Sequence, residues 1–311
     1  MKPARNAVVL TFVALVCIFF ANCFAYADDI YVANRGNNTI TKYDSSGNGS
    51  VFARLGLDFP EGLAFDSSGN LFVANAGDNT IMKYDSSGHR SLFASSGLDD
   101  PYGLAFDNSG NLYVANNRFA NPTIMKFDSS GNGTVFTNTL PAPTNPTALT
   151  FDPSGNLFVA YLSLHGIGLE NNGAIMKFDS SGNGTLFATN VVAWGLTCDS
   201  SGNLYVPNDL NNTIMKFDSS GNGTVFASLP SGMSSQPSDL AFDSSGNLYV
   251  TQHYGGTIEK FDSNGTDLGV FASGLSGPTF IAIQVPEPST CSLLALGALT
   301  LLGGCRMRRR S

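Results

Sequence analysis

The six residues 65–70, FDSSGN, return at 127–132, 178–183, 217–222 and 242–247, and they are the fixed point of a longer unit. The fullest copy reads PEGLAFDSSGNLFVANAGDNTIMKYDSSGHRSLFA, residues 60–94, and others start at Pro101, Pro146, Val192 and Pro237. The Asp of the first turn falls at 66, 107, 152, 199 and 243, which are spacings of 41, 45, 47 and 44. A unit of this size cannot bury both its faces alone, so a chain written this way must pack its copies against one another.

Each copy holds four short runs rich in Phe, Tyr, Val, Ile, Leu and Thr, at 62–65, 71–74, 80–84 and 91–94 in the fullest one. Gly, Asn, Asp and Ser bound every run, and no helical apolar stripe of useful length interrupts them. Four strands at a period in the forties predict an all-β chain, a six-bladed β-propeller with four strands per blade. The hairpin turn occurs eleven times, at Asp44, Asp66, Asp85, Asp107, Asp128, Asp152, Asp179, Asp199, Asp218, Asp243 and Asp262, where six blades require two each. The missing turn lies where the chain begins and ends. Residues 28–34 open on a second strand, and 277–283 read as an orphan first strand, so the ring is expected to close 3+1.

Every letter of FDSSGN has a local role. Asp accepts a backbone amide two residues on, and Gly takes the positive φ that closes the hairpin. Calcium is the other reading of an acid, hydroxyls and an amide, but each turn offers a single carboxylate where a calcium loop converges several. The turns are therefore read as fold-forming. No cofactor is expected, with a divalent cation such as calcium as the alternative.

The ends are addresses. Lys2 and Arg5 precede an apolar run, and Ala25 and Ala27 supply the small residues of a cleavage site, so 1–27 read as a signal peptide. Residues 28–285 are the expected propeller, and 286–311 are a separate segment: Pro286-Glu287-Pro288, an apolar run over 291–304, then Arg306, Arg308, Arg309 and Arg310. A transmembrane helix followed by a cytoplasmic basic cluster fits that order. The three parts resemble the PEP-CTERM sorting signal of bacteria. The resemblance implies an exosortase-type processing protease as a partner and membrane contact only through this segment before processing. It also implies delivery to the cell surface or extracellular matrix.

With both ends set aside, ten Lys and Arg stand against 23 acids, a net charge of about −13. That composition excludes a nucleic-acid partner, which needs a basic patch. Of five cysteines only Cys198 lies between the ends, at a position where other copies carry a large apolar residue, and it reads as core.

Both turn series should lie on one face of the ring, which leaves the opposite face for binding. The residue after the proline that opens each blade should point to the channel mouth there: Glu61, Tyr102, Thr147, Trp194 (after Ala193), Ser238 and Thr279. Asp239 could contribute, as could the Asn residues that end second strands. Loops on this face add Arg35, Asp78, Arg118, Asp209, His253 and Tyr254. The fourth blade carries fifteen residues between Val159 and Ile175, against seven between Val73 and Ile81. That insertion, with His165 and Glu170, reads either as a flap or as a longer exposed loop. Trp194 and Tyr102 could stack on a sugar or pack at blade junctions. The binding-face candidates are thus Glu61, Tyr102, Arg118, His165, Glu170, Trp194, Asp239, His253 and Tyr254, and no catalytic residue is assigned.

The pattern P-x-G-L-A-F-D-x-x-G-N-L-Y-V-A-N…I-x-K-F-D, at 60–85 and 101–128, resembles the NHL repeat. NHL-like propellers include interaction modules, and related folds include gluconolactonase-type hydrolases and streptogramin-lyase-like enzymes. The resemblance implies an exported, non-catalytic binding or scaffold module for exopolysaccharide or another surface protein. The alternative is a divalent-metal-dependent lactonase or lyase.

Overall fold

The computed structural model describes residues 28–118, 122–138, 140, 144–163, 173–230 and 236–285. The chain opens with β1 (Asp29–Asn34), β2 (Thr39–Tyr43) and β3 (Gly49–Ala53). Five four-stranded meanders follow. The first comprises β4 (Pro60–Phe65), β5 (Leu71–Asn75), β6 (Thr80–Tyr84) and β7 (Arg90–Ala94). The others run from β8 (Pro101–Phe106) to β11 (Gly133–Thr137), and from β12 (Thr144–Phe151) to β15 (Gly184–Thr189). Then come β16 (Thr197–Cys198) to β19 (Gly223–Ser228) and β20 (Pro237–Phe242) to β23 (Asp267–Ser273). The last strand, β24 (Pro278–Gln284), pairs antiparallel with β1, with Ile30 opposite Ile283 and Tyr31 opposite Ala282. The sheet β24-β1-β2-β3 is the expected 3+1 closure, and the six sheets are the six expected blades.

Burial grades outward within each blade. β5 is buried at every residue, since its sheet is covered by a neighbouring blade on each face, whereas the first three residues of β7 are exposed. A repeated aromatic contact joins the blades. Phe72 on β5 meets Phe93 of its own blade at 4.9 Å and Phe106 of the next at 5.0 Å, both edge-on. Tyr31, Tyr113 and Tyr205 each make the same pair of contacts. Phe158 keeps the contact within its own blade, to Phe187 at 4.8 Å. Across that junction β16 offers Cys198, which is half-buried, where the other complete blades have Phe. Burial pushes its thiol up to about 12, so the core reading of this cysteine holds and it is a poor nucleophile.

The turns are built as the sequence implies. In the 65–70 copy, Asp66 Oδ1 accepts the Ser68 and Asn70 N–H groups at 2.9 and 2.8 Å, and Oδ2 accepts Asn70 Nδ2 at 2.8 Å. Gly69 closes the loop with φ +77°. All eleven turns share the backbone bonds from the Gly N–H to the Asp carbonyl and from the Asp N–H to the residue four on. Each blade also places one lysine over its second-strand aromatic ring. Lys83 Nζ stands 5.1 Å over Phe72 and 3.3 Å from Asp66 Oδ2, and Lys126, Lys177, Lys216 and Lys260 repeat this arrangement. The closing blade lacks the first turn, and its Lys42 pairs with Asp29 instead, at 2.7 Å. These lysines and the turn carboxylates are thus committed to the scaffold.

Candidate functional site on the loop face

The first strands β4, β8, β12, β16, β20 and β24 neighbour one another around the axis. Three of the residues after the opening positions bond across blade junctions. Thr147 Oγ1 donates to the Ala193 carbonyl at 2.8 Å, Ser238 Oγ to the Pro278 carbonyl at 3.1 Å, and Thr279 Oγ1 to the Pro60 carbonyl at 3.3 Å. Each bond ties one blade to the next. The remaining three, Glu61, Tyr102 and Trp194, are large and line a cavity of about 310 Å3 at the loop-face mouth. The Tyr102 and Trp194 rings are 6.2 Å apart and tilted by 43°, so they form one aromatic wall.

Polar groups surround that wall. Arg35 follows β1 and is fixed by its N–H on the Gly277 carbonyl at 3.1 Å. Its Nε lies 2.7 Å from Glu61 Oε1, and its guanidinium lies 5.1 Å over the Phe59 ring. Phe59 has φ +47°, a left-handed conformation that is rare for a bulky residue. Glu61 is only 1% exposed. Burial pushes its carboxyl up to about 8, with Arg35 opposing the rise. His253 N–H donates to the Gln236 carbonyl, and its Nδ1 is 3.3 Å from the Pro278 carbonyl, which leaves Nε2 as the free ring nitrogen. Burial first, then the Arg35 charge, holds this imidazole below its usual pKa against the pull of the Pro278 carbonyl, so it is neutral at neutral pH. Tyr254, Asn117, Asn145 and Gln236 add to the lining. Trp194 Nε1 and Asn145 Oδ1 are buried here without a hydrogen-bond partner, and the Glu61 carboxyl also meets the Thr279 and Tyr102 side chains.

Below this mouth the channel narrows to a neck. A Cβ at Gly62 would strike the Tyr102 carbonyl oxygen, and one at Gly103 would come within 2.8 Å of the Thr147 carbonyl oxygen. The equivalent positions elsewhere are Ala148, Gly195, Asp239 and Phe280. Phe280 lines both the loop-face cavity and the one on the turn side. On the turn side is a second cavity of about 490 Å3, walled largely by Leu63, Phe106, Phe151, Leu196 and Ile281. Asp239 belongs to this second cavity and not to the loop-face mouth, a correction to the expectation from sequence. Asp239 lies one residue further along β20 than Ser238, and its Oδ2 is taken by the Ile281 N–H at 3.0 Å.

Five of the nine expected binding-face residues therefore converge: Glu61, Tyr102, Trp194, His253 and Tyr254. Arg118 does not. It pairs with Asp99 at 3.1 Å on the exposed surface. His165 and Glu170 lie outside the described residues, as do Ala25, Ala27, Pro286, Glu287, Pro288, Arg306, Arg308, Arg309 and Arg310. The strand-ending asparagines are structural pins: Asn75 Nδ2 donates to the Gly56 carbonyl at 2.8 Å, and Asn116 Nδ2 to that of Gly97 at 3.0 Å. Asn117, Asn145 and Gln236 were not singled out from the sequence. The last two directly precede Pro146 and Pro237, and that adjacency is the signal that could have found them. Among the described residues, no group of three or more His, Cys, Asp or Glu is placed to hold a metal ion. No helix among them is long and apolar enough to cross a membrane.

No curated protein matches the chain in sequence. Solved structures match it in fold. The crystal structure of a nidogen/laminin complex aligns with a TM-score of 0.69 at 18% identity, over 82% of this chain and 98% of that one. Virginiamycin B lyase from Staphylococcus aureus aligns at 0.59 and 17%, over 83% and 81%. A gluconolactonase from Xanthomonas campestris aligns at 0.58 and 18%, over 71% and 78%. Identities this low establish a shared propeller and nothing about activity. Residues 284–310 match the PEP-CTERM protein-sorting motif, which implies export, C-terminal anchoring and processing by exosortase. The chain is a six-bladed β-propeller followed by a PEP-CTERM sorting motif.

Proposed function

We propose that this protein is an exported, non-catalytic binding module whose loop-face cavity takes a sugar unit of the extracellular polysaccharide around its own cell. The carrying observation is the Tyr102–Trp194 wall, which shares one cavity with the polar side chains of Arg35, Asn117, Asn145, Gln236 and His253. A pyranose has the required chemistry. Its C–H face packs on an aromatic ring, and its hydroxyls accept from guanidinium and amide N–H groups and donate to amide oxygens. A cavity of about 310 Å3 is at the small end for ligand sites (~300–1,000 Å3), which suits a sugar unit and not a folded partner. The sorting motif supports delivery to a surface where such polymers are found.

The test is calorimetric titration of the mature protein with fragments of that polysaccharide, alongside Trp194→Ala. Binding is expected, and the variant should weaken it at least ~10-fold, equivalent to ~1.4 kcal/mol, while keeping the melting temperature within a few degrees. Absence of binding by the native protein, or an unchanged affinity in the variant, defeats the reading.

A further inference from the structure

The inner wall is not the only aromatic surface at this mouth. Tyr254, on the loop after β21 (Leu248–Gln252), lines the same cavity yet is 68% exposed. A single exposed aromatic residue is ordinary, but this one stands on a fixed base. Its ring meets the His253 ring edge-on at 5.0 Å. His253 is itself held by its N–H on the Gln236 carbonyl at 3.0 Å and by Nδ1 near the Pro278 carbonyl at 3.3 Å. The Tyr254 ring is therefore displayed to solvent without being loose. The same cavity is lined by Arg35, whose side chain is 47% exposed, and by His253, whose Nε2 is free. Aromatic surface thus occurs twice, in the inner wall and at the exposed Tyr254, in a cavity that also carries hydrogen-bonding groups. A lone monosaccharide needs the first and not the second.

We propose that the cavity is the terminal subsite of a longer cleft that binds a polysaccharide chain, with Tyr254 as a second stacking platform for a sugar outside the cavity. The inference rests on the saccharide reading of the cavity and specifies its ligand as a polymer end of several linked units. Stacking on a pre-positioned tyrosine adds affinity without a large ordering cost, because the ring has only two side-chain torsions to fix.

The experiment uses the mature protein and the cell's own extracellular polysaccharide, hydrolysed and size-fractionated from monosaccharide to about hexasaccharide. Affinity is measured by titration calorimetry for the native protein, Tyr254→Ala and Tyr254→Phe. The native protein should bind the longer fractions about 3–10-fold more tightly than the monosaccharide, the range expected of one stacking contact. Tyr254→Ala should remove that gain, so that the longer fractions bind this variant no more tightly than the monosaccharide binds it, and Tyr254→Phe should keep it. If affinity is independent of length, or Tyr254→Ala retains the gain, the cleft does not exist while the cavity remains a sugar site. If no fraction binds the native protein, the sugar reading fails and the cleft fails with it.

Discussion

Asp239 Oδ2 accepts the Ile281 N–H at 3.0 Å, so a carboxyl of the last complete blade is bonded to the strand that closes the ring. The carboxyl is 5% exposed. Burial pushes it up to about 8, and the Ile281 and Leu240 N–H groups only partly oppose the rise. The unfolded chain ionises this group near pH 4, so the fold favours its neutral form. Its contribution to stability is complete below about pH 4 and is lost as the pH rises toward about 8, by an amount on the order of a few kcal/mol. Glu61 acts in the same direction, whereas neutral His253 adds stability as the pH rises through its ordinary value. Comparison with Asp239→Asn isolates the one group, since asparagine keeps an oxygen for Ile281 and cannot ionise. Thermal unfolding should show the two proteins alike near pH 4 and the variant more stable by several degrees near pH 8, at ~2–4 °C per kcal/mol. Parallel pH profiles would mean that Asp239 is ionised in the native ring.

Cys198→Phe should stabilise the propeller. The position belongs to a series in which Phe65, Phe106, Phe151 and Phe242 each meet the second-strand ring of the preceding blade, and Cys198 leaves Phe158 without that contact. The adjoining turn-side cavity offers room for the larger ring. Restoring the edge-on pair should contribute ~0.5–1.5 kcal/mol beyond the area it buries. Equilibrium urea unfolding checks this. A midpoint below that of the native protein would show that β16 is too short and irregular to seat a phenylalanine.

Legibility from sequence differed sharply between scaffold and site. The FDSSGN turns could be read because Asp66, Gly69 and Asn70 satisfy one another within six residues, so no distant partner decides their geometry. The closure could be read because a missing turn leaves two orphan strands that only each other can pair. At the loop face the position after each opening proline was found, but its division was not. Thr147, Ser238 and Thr279 seal junctions because each hydroxyl reaches a carbonyl of the next blade, a fact of three-dimensional spacing. Arg35 could be named as a loop residue, but its pairing with Glu61 joins residues of two blades whose approach no local pattern records.

Phe59 is the shelf for that pairing. It holds φ +47° and is 47% exposed, while Arg35 lies over its ring and reaches Glu61. A left-handed conformation costs a non-glycine residue ~1–2 kcal/mol, and glycine would relieve this while raising unfolded-state entropy by a similar amount. Phe59→Gly should therefore leave stability within ~1 kcal/mol of the native value, as the two effects offset. Saccharide affinity should still fall, because Arg35 loses the surface that orients it. Calorimetric titration together with thermal unfolding separates the two effects. A stability loss above ~3 kcal/mol would place Phe59 among core residues and end its role as a shelf.

The closing strand should be indispensable, and the segment after it dispensable for folding. Phe280 and Ile281 are buried, and β24 also supplies the carbonyl of Pro278 to Ser238, the hydroxyl of Thr279 to the Pro60 carbonyl and the N–H of Ile281 to Asp239. Burying two such side chains contributes ~3–6 kcal/mol, a large part of the ~5–15 kcal/mol that typically holds a domain together. Its loss would also expose the inner edge of β1, an open template for association. A chain of residues 28–285 should melt cooperatively at the temperature of the longer chain. A chain of residues 28–276 should show no cooperative transition or should aggregate, and a peptide of residues 277–285 added in trans should restore the transition. Circular dichroism melting of the three samples decides the matter: equal melting temperatures for the two chains would show that the ring holds without its closing strand.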